Sequence, residues 1–99
     1  MTNHIVMFKF RDDVAEAQRA EAAAAFKSGI EALPSTIPFI RSVKVGININ
    51  PAEHWDICLT SSFDSLDEVK AYSIHPAHKA VASALMVFIA ERACVDFES

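Results

Sequence analysis

Residues 71–78, Ala-Tyr-Ser-Ile-His-Pro-Ala-His, hold half of the histidines and the only tyrosine of the chain. An imidazole titrates near neutral pH and can take or give a proton. A phenol donates a hydrogen bond to a carbonyl oxygen. Two imidazoles and a phenol within eight residues are groups that could exchange protons together. Pro76 dictates how these groups are held. It lacks an N–H and restricts the residue before it, so a helix arriving from the N-terminal side must stop. It can open a helix at the first helical position. One helix is therefore predicted to end near Ile74 and another to begin at Pro76, with His75 at the cap and His78 in the first turn. The structural alternative is that His75 only caps the helix and His78 fills a polar gap.

Other chemistries are not encoded. There is no Gly-x-Ser-x-Gly, and neither Cys58 nor Cys94 has a histidine at a known spacing. Two glycines, Gly29 and Gly46, cannot make a phosphate-cradling loop. His75 and His78 share a helix face at i, i+3, but zinc needs three or four ligands, so no metal site is expected. No residue is marked as a haem ligand, and no cofactor is expected. Both cysteines fall in predicted strands and read as small buried hydrophobes.

The 99 residues suffice for one domain spanning 1–99 with one core, and 52% of them are apolar. The net charge of −4 comes without a Lys/Arg cluster, which argues against nucleic acid and against an anionic membrane surface. No apolar run approaches the roughly 20 residues of a membrane span. The start of the chain runs straight into a strand pattern with no signal peptide, so a cytoplasmic location is the expectation.

The elements that must position the histidines follow in order. Residues 4–10 (HIVMFKF) read as a strand with His4, Val6, Phe8 and Phe10 on one face and Ile5, Met7 and Lys9 on the other. Asp13 is the expected N-cap of a helix over 14–33, whose stripe is Phe26, Ile30 and Leu33, and Pro34 ends it. Residues 40–49 alternate as a strand, with Gly46 marking a bulge or a close backbone approach. Residues 55–64 form a third strand, hairpinned to the second, with Asp56, Cys58, Thr60 and Ser62 on its polar face. Ser65 to Glu68 is a capping box. Leu66, Val69 and Tyr72 are the expected buried side of the helix that follows. Val81, Leu85, Phe88 and Ile89 give the helix after Pro76 its stripe. Residues 92–98 close the chain as a strand, alternating Ala93, Val95 and Phe97 with Cys94, Asp96 and Glu98. The order β-α-β-β-α-β predicts an α+β, ferredoxin-like fold with a four-stranded antiparallel sheet. Helices cover one sheet face, and the apolar groups on the other predict a homodimer packed sheet to sheet.

The N-terminal His-Ile-Val-Met-Phe-Lys-Phe strand, Phe63-Asp64-Ser65, His75-Pro76-Ala77-His78 and the closing Val95-Asp96-Phe97 resemble the stress-responsive A/B barrel domain, the dimeric α+β barrel family. The resemblance covers nearly the whole chain, and its most specific part is the His-Pro-Ala-His element with Tyr72 upstream. It implies a ferredoxin-like fold and a homodimer forming a barrel. In the branch that cyclises a linear polyketide to olivetolic acid, a pocket lies between sheet and helices. Carried over, that pattern implies His78 as general base, Asp96 as the carboxylate orienting it, and Tyr72 and His4 as polar contacts to substrate. It also implies that Val6, Phe8, Phe26 and Asp56 line the substrate space. Phe26 and Asp56 stand where that branch has a tyrosine and a histidine, which removes a hydrogen-bond donor for a carbonyl.

Three functions are consistent with these readings. One is a cofactor-free acid-base enzyme of the lyase or cyclase type, or a protein binding a small-molecule ligand at this pocket. The second is a non-catalytic, stress-associated structural oligomer. The third is a module that senses a ligand for a partner.

Overall fold

The computed structural model describes all 99 residues. The elements are β1 (Thr2–Phe10), α1 (Glu16–Glu31), a 3-10 turn (Leu33–Ser35), β2 (Ser42–Ile47), β3 (Ile57–Phe63), α2 (Leu66–Ile74), α3 (Pro76–Met86) and β4 (Ile89–Glu98). The strands form one sheet in the order β2-β3-β1-β4, with every neighbouring pair antiparallel. This is the ferredoxin-like arrangement expected from the sequence.

Side chains alternate across a strand, and β1 shows the consequence. Thr2, His4, Val6, Phe8 and Phe10 are buried under the helices, and the residues between them are half-buried on the other face. Ala23, Phe26 and Ile30 pack α1 into the same core. The edge of the Phe8 ring meets Phe26 with 5.4 Å between centroids. Gly29 lets α1 approach α3 closely, since a Cβ there would lie 2.8 Å from Val81 Cγ1.

Local chemistry moved several predicted boundaries. Asp13 does not cap α1. The cap is Ala15, which has no side chain to accept a bond, because the Arg11 guanidinium holds the Asp13 carboxylate at 2.9 Å. β2 is shorter than 40–49. The Asn48 side chain accepts from the Asn50 N–H at 2.8 Å and donates to the Asn50 carbonyl at 2.9 Å, which leads the chain out of the ladder and leaves Ile49 exposed. Gly46 makes no bulge, since the β2–β3 register is continuous through it. The one register shift lies between Lys9 and Phe10, against β4. The Ser65 hydroxyl accepts from the Glu68 N–H as a capping box requires, but Leu66 faces outward and is exposed. Ile89 belongs to β4 rather than to the helix before it. The cysteines are not core residues: Cys58 is half-buried on the open sheet face and Cys94 is exposed.

α2 and α3 are separate helices broken at Pro76, as the sequence predicts. His75 is the hinge residue in extended conformation, and its Nδ1 accepts from the Ala77 N–H at 3.0 Å. The far face of the sheet carries Ile5, Met7, Val95 and Phe97, with Val95 and Phe97 about half exposed in the single chain (53% and 48%). No helix is long and apolar enough to cross a membrane.

Candidate active site

The helix break and the edge pair β1–β4 assemble the candidate site. His4 lies opposite Asp96 in the antiparallel ladder. Opposite residues share a face, so both point to the helix side. His4 Nδ1 stands 2.5 Å from Asp96 Oδ1. A carboxylate only accepts, so Nδ1 donates. One step along that face, Cys94 lies opposite Val6, with its Sγ 3.6 Å from the same Nδ1. On the inner side, the Ser61 hydroxyl donates to the His4 carbonyl.

Tyr72 enters from the last turn of α2, one turn on from the buried Val69, and is wholly enclosed. Its ring packs on Phe63 (5.2 Å between centroids) and meets the His4 ring edge-on at 6.2 Å. Its hydroxyl is buried and has no hydrogen-bond partner in the protein. Burial pushes the phenol far above its usual range, so it remains a neutral donor.

His78, in the first turn of α3, lies 4.3 Å from Tyr72 between ring centroids. Its orientation comes from the helix break. In an unbroken helix the Ser73 carbonyl would accept from residue 77. Here the Ala77 N–H is taken by His75, and Pro76 offers none. The orphaned Ser73 carbonyl is instead met by His78 Nδ1 at 3.2 Å. A carbonyl accepts, so the ring proton belongs on Nδ1 and Nε2 keeps its lone pair. Burial chiefly lowers the His78 pKa. The Ser73 bond opposes this, while the charges of His4, Arg92 and His75 add to it. The ring is thereby held neutral at pH 7, with Nε2 the basic atom.

The predicted pairing is therefore corrected. Asp96 bonds His4, not His78, and a backbone carbonyl orients His78. His75 and His78 do not converge, since each Nδ1 is engaged separately in the helix junction. His4, Tyr72, His78 and Asp96 are brought together. Val6, Phe8 and Phe26 are core residues beside them, at most 5% exposed. Asp56 is at the other end of the sheet, accepting from the Phe10 N–H at 2.8 Å, with Lys9 Nζ at 3.3 Å. Phe10 stands six positions along β1 from His4, about 20 Å at ~3.3 Å per residue. Asp56 lines a separate cavity of about 290 Å³ with Phe10, Arg19 and Asn48.

None of the cavities in the chain is lined by His4, Tyr72 or His78. One of about 170 Å³, formed by Thr2, Leu66, Asp96, Phe97 and Glu98, reaches the cluster at Asp96. Arg92 escaped the sequence reading, and Cys94, already placed on the Asp96 face, was given no polar role. Both share that face of β4, Cys94 one step and Arg92 two steps of i, i+2 alternation back from Asp96. Chemically, the cluster offers a buried phenolic donor, a neutral imidazole beside it, and a second imidazole bonded to a carboxylate. These are the parts needed to remove a proton next to a carbonyl and to bind the resulting oxyanion.

A sequence model of the stress-responsive A/B barrel domain matches residues 2–99. Olivetolic acid cyclase of Cannabis sativa is 32% identical over 78 residues, which is 76% of this chain and 73% of that protein. A crystal structure of a dimeric protein of ferredoxin-like fold from Bacteroides fragilis is 48% identical, covers 99% of this chain and 95% of its own, and superimposes with a TM-score of 0.97. A dimeric ferredoxin-like protein from Thermobifida fusca is 27% identical, with coverage of 97% and 88% and a TM-score of 0.78. With the family pattern matched from end to end and the fold reproduced, this chain belongs to the stress-responsive A/B barrel domain family.

Proposed function

We propose that the protein, as a homodimer, binds a small carbonyl compound against Tyr72 and His78 and moves a proton on the carbon next to its carbonyl, without a cofactor. His78 Nε2 is the base. The Tyr72 phenol donates to the carbonyl oxygen and to the enolate it becomes. His4 and Asp96 form the second proton-holding pair, and Val6, Phe8 and Phe26 supply the apolar wall. Asp56 has no part in it. The likeness to a polyketide cyclase supports this class of chemistry, and the dimeric relatives support the assembly.

The observation that carries the reading is the Tyr72 hydroxyl. It is enclosed without a partner, on a ring that neighbours those of His4 and His78. An unsatisfied buried hydroxyl costs on the order of 1–3 kcal/mol, and a phenylalanine would fill the same space without that cost. A ligand oxygen would offset it. The test is solvent-deuterium exchange at the acidic carbon of a panel of 1,3-dicarbonyl compounds and β-ketothioesters. The wild type should accelerate exchange of at least one. His78→Ala should lose about 10²–10⁴ of that rate, the usual worth of a general base, and Tyr72→Phe should also slow it. Exchange that His78→Ala leaves unchanged, or no acceleration across the panel, overturns the reading.

A second reading, a non-catalytic oligomer, is favoured by how fully Val6, Phe8, Phe26 and Tyr72 pack the space between sheet and helices. It predicts that Tyr72→Phe changes nothing but stability.

A further inference from the structure

Three unlike donor atoms converge at the β1–β4 edge: His4 Nδ1, Cys94 Sγ and an Asp96 carboxylate oxygen all lie within 4.8 Å of one another. Two come from positions i and i+2 of one strand, and the third comes from the residue paired with Asp96 on the next strand. The antiparallel ladder itself thus fixes the spacing. It is not a cluster of surface acids, because the imidazole at its centre is buried, only 5% exposed.

We propose that His4, Cys94 and Asp96 form a site for a single zinc-class divalent ion. Nitrogen, sulfur and carboxylate donors together match zinc and its first-row neighbours, and magnesium and calcium prefer oxygen alone. The distances fit. With Zn–S of about 2.3 Å and Zn–N of about 2.1 Å, tetrahedral ligands stand about 3.6 Å apart. Cys94 Sγ and His4 Nδ1 are 3.6 Å apart. The His4–Asp96 contact of 2.5 Å has to open by about 1 Å to admit an ion, and it lies on an edge strand, where the carboxylate is exposed. On binding, the thiol releases its proton to solvent and the imidazole carries its own on Nε2, freeing the Nδ1 lone pair for the metal. Three protein ligands leave a fourth position for water or an oxygen ligand, the pattern of an open rather than a structural zinc site. Arg92, two residues before Cys94 on the same face, is the charge that opposes the ion and limits its affinity.

The ion would replace the His4–Asp96 hydrogen bond of the metal-free chain, in which the proposed proton transfer by His78 and Tyr72 runs without it. The test therefore reads binding and not turnover, and uses cobalt(II) as a spectroscopic probe on the whole, metal-stripped protein. Wild type should saturate at one cobalt per chain. It should show a thiolate-to-cobalt charge-transfer band in the near ultraviolet, with the visible absorption of a tetrahedral ion. Cys94→Ser should abolish the charge-transfer band and weaken cobalt binding at least about tenfold, and Cys58→Ser should leave both intact. Asp96→Asn should weaken binding while keeping the band. Because Cys94 is exposed, its serine variant has no core packing to lose. As a second measurement, zinc should raise the melting temperature of wild type and not of Cys94→Ser. Absence of a charge-transfer band in wild type, or a band that survives Cys94→Ser, overturns the site.

Discussion

His78 and Tyr72 face each other across the break between α2 and α3, with 4.3 Å between ring centroids and a 50° tilt between planes. Neither residue could reach the other from a continuous helix in the same way. A spacing of six positions would set the second ring about 120° around the helix and about 9 Å along it from the first. Pro76 resets the helix direction, and the carbonyl it leaves at Ser73 becomes the acceptor that fixes the imidazole. One backbone interruption thus positions the base, selects its tautomer and sets it, tilted, against the phenol ring.

Replacing Tyr72 by Phe should separate stability from function. The hydroxyl is enclosed and unpaired, so its removal deletes a desolvated polar atom without opening a cavity. Urea unfolding should show the variant equal to wild type or more stable by about 1 kcal/mol, while ligand-dependent exchange falls. A loss of more than about 1 kcal/mol would mean that the hydroxyl is satisfied in solution.

His75→Ala should act on stability instead. The imidazole accepts from the Ala77 N–H at the start of α3, which is the work of an N-cap side chain. Losing a cap typically costs about 1 kcal/mol. The variant should unfold at correspondingly lower urea, and exchange activity should fall less than in His78→Ala.

How far the sequence could be read depends on the range of the interaction. The break at Pro76, the Ser65–Glu68 cap and the even-numbered face of the first strand were legible, because each is set by residues a few positions apart. The Asp13 cap failed because Arg11 competes for the same carboxylate. The pairing of Asp96 failed for a related reason. Its partner depended on cross-strand register, which places His4 directly opposite, and no periodicity in the chain states that register. Its place in a strand made Cys94 an expected small buried hydrophobe, yet β4 is an edge strand and the thiol is exposed.

Gly29→Ala tests how tightly α1 meets α3. Alanine favours a helix interior over glycine by up to about 1 kcal/mol. Here its Cβ would lie 2.8 and 3.0 Å from the two methyls of Val81. Valine is stiff at χ1, so the helices must part, and overpacking costs about 1–3 kcal/mol. The net expectation is destabilisation. In the Val81→Ala background the same change should be neutral or stabilising, and a double-mutant cycle by denaturant unfolding reads the difference.

Val95→Asp tests the homodimer. Val95 is about half exposed on the open sheet face, beside Phe97 and opposite Ile5. A stable interface buries on the order of 1,600 Å² in total, and a carboxylate in its middle would be desolvated without a partner. Light scattering should give a dimer mass for wild type and a monomer mass for the variant, with helical circular dichroism kept because the core lies on the other face. A wild-type monomer would refute the assembly.

The pH dependence of stability should carry the signature of His78. Its pKa in the fold lies below the ordinary 6.5, mainly because burial disfavours the charged ring. The unfolded chain therefore takes up this proton first as the pH falls, and the unfolded state gains from it. The contribution of His78 is complete above pH 6.5 and is lost as the pH drops below 6.5 and through the folded pKa. Asp64, Asp13, Glu31 and Glu98 have pKa values lowered chiefly by hydrogen bonds to Arg41, Arg11, Lys27 and Thr2. Their share is lost only in the more acidic carboxylate range. The two regions are thus resolved along the pH axis. Melting temperatures measured with chelator present should decline on acidification from pH 6.5, before the carboxylates titrate. In His78→Gln, which cannot take up a proton, that first decline should flatten while the lower-pH loss persists. An unchanged slope in the variant would show that the His78 ring is solvated in both states. In that case it would not be the neutral base on which the proposed chemistry depends.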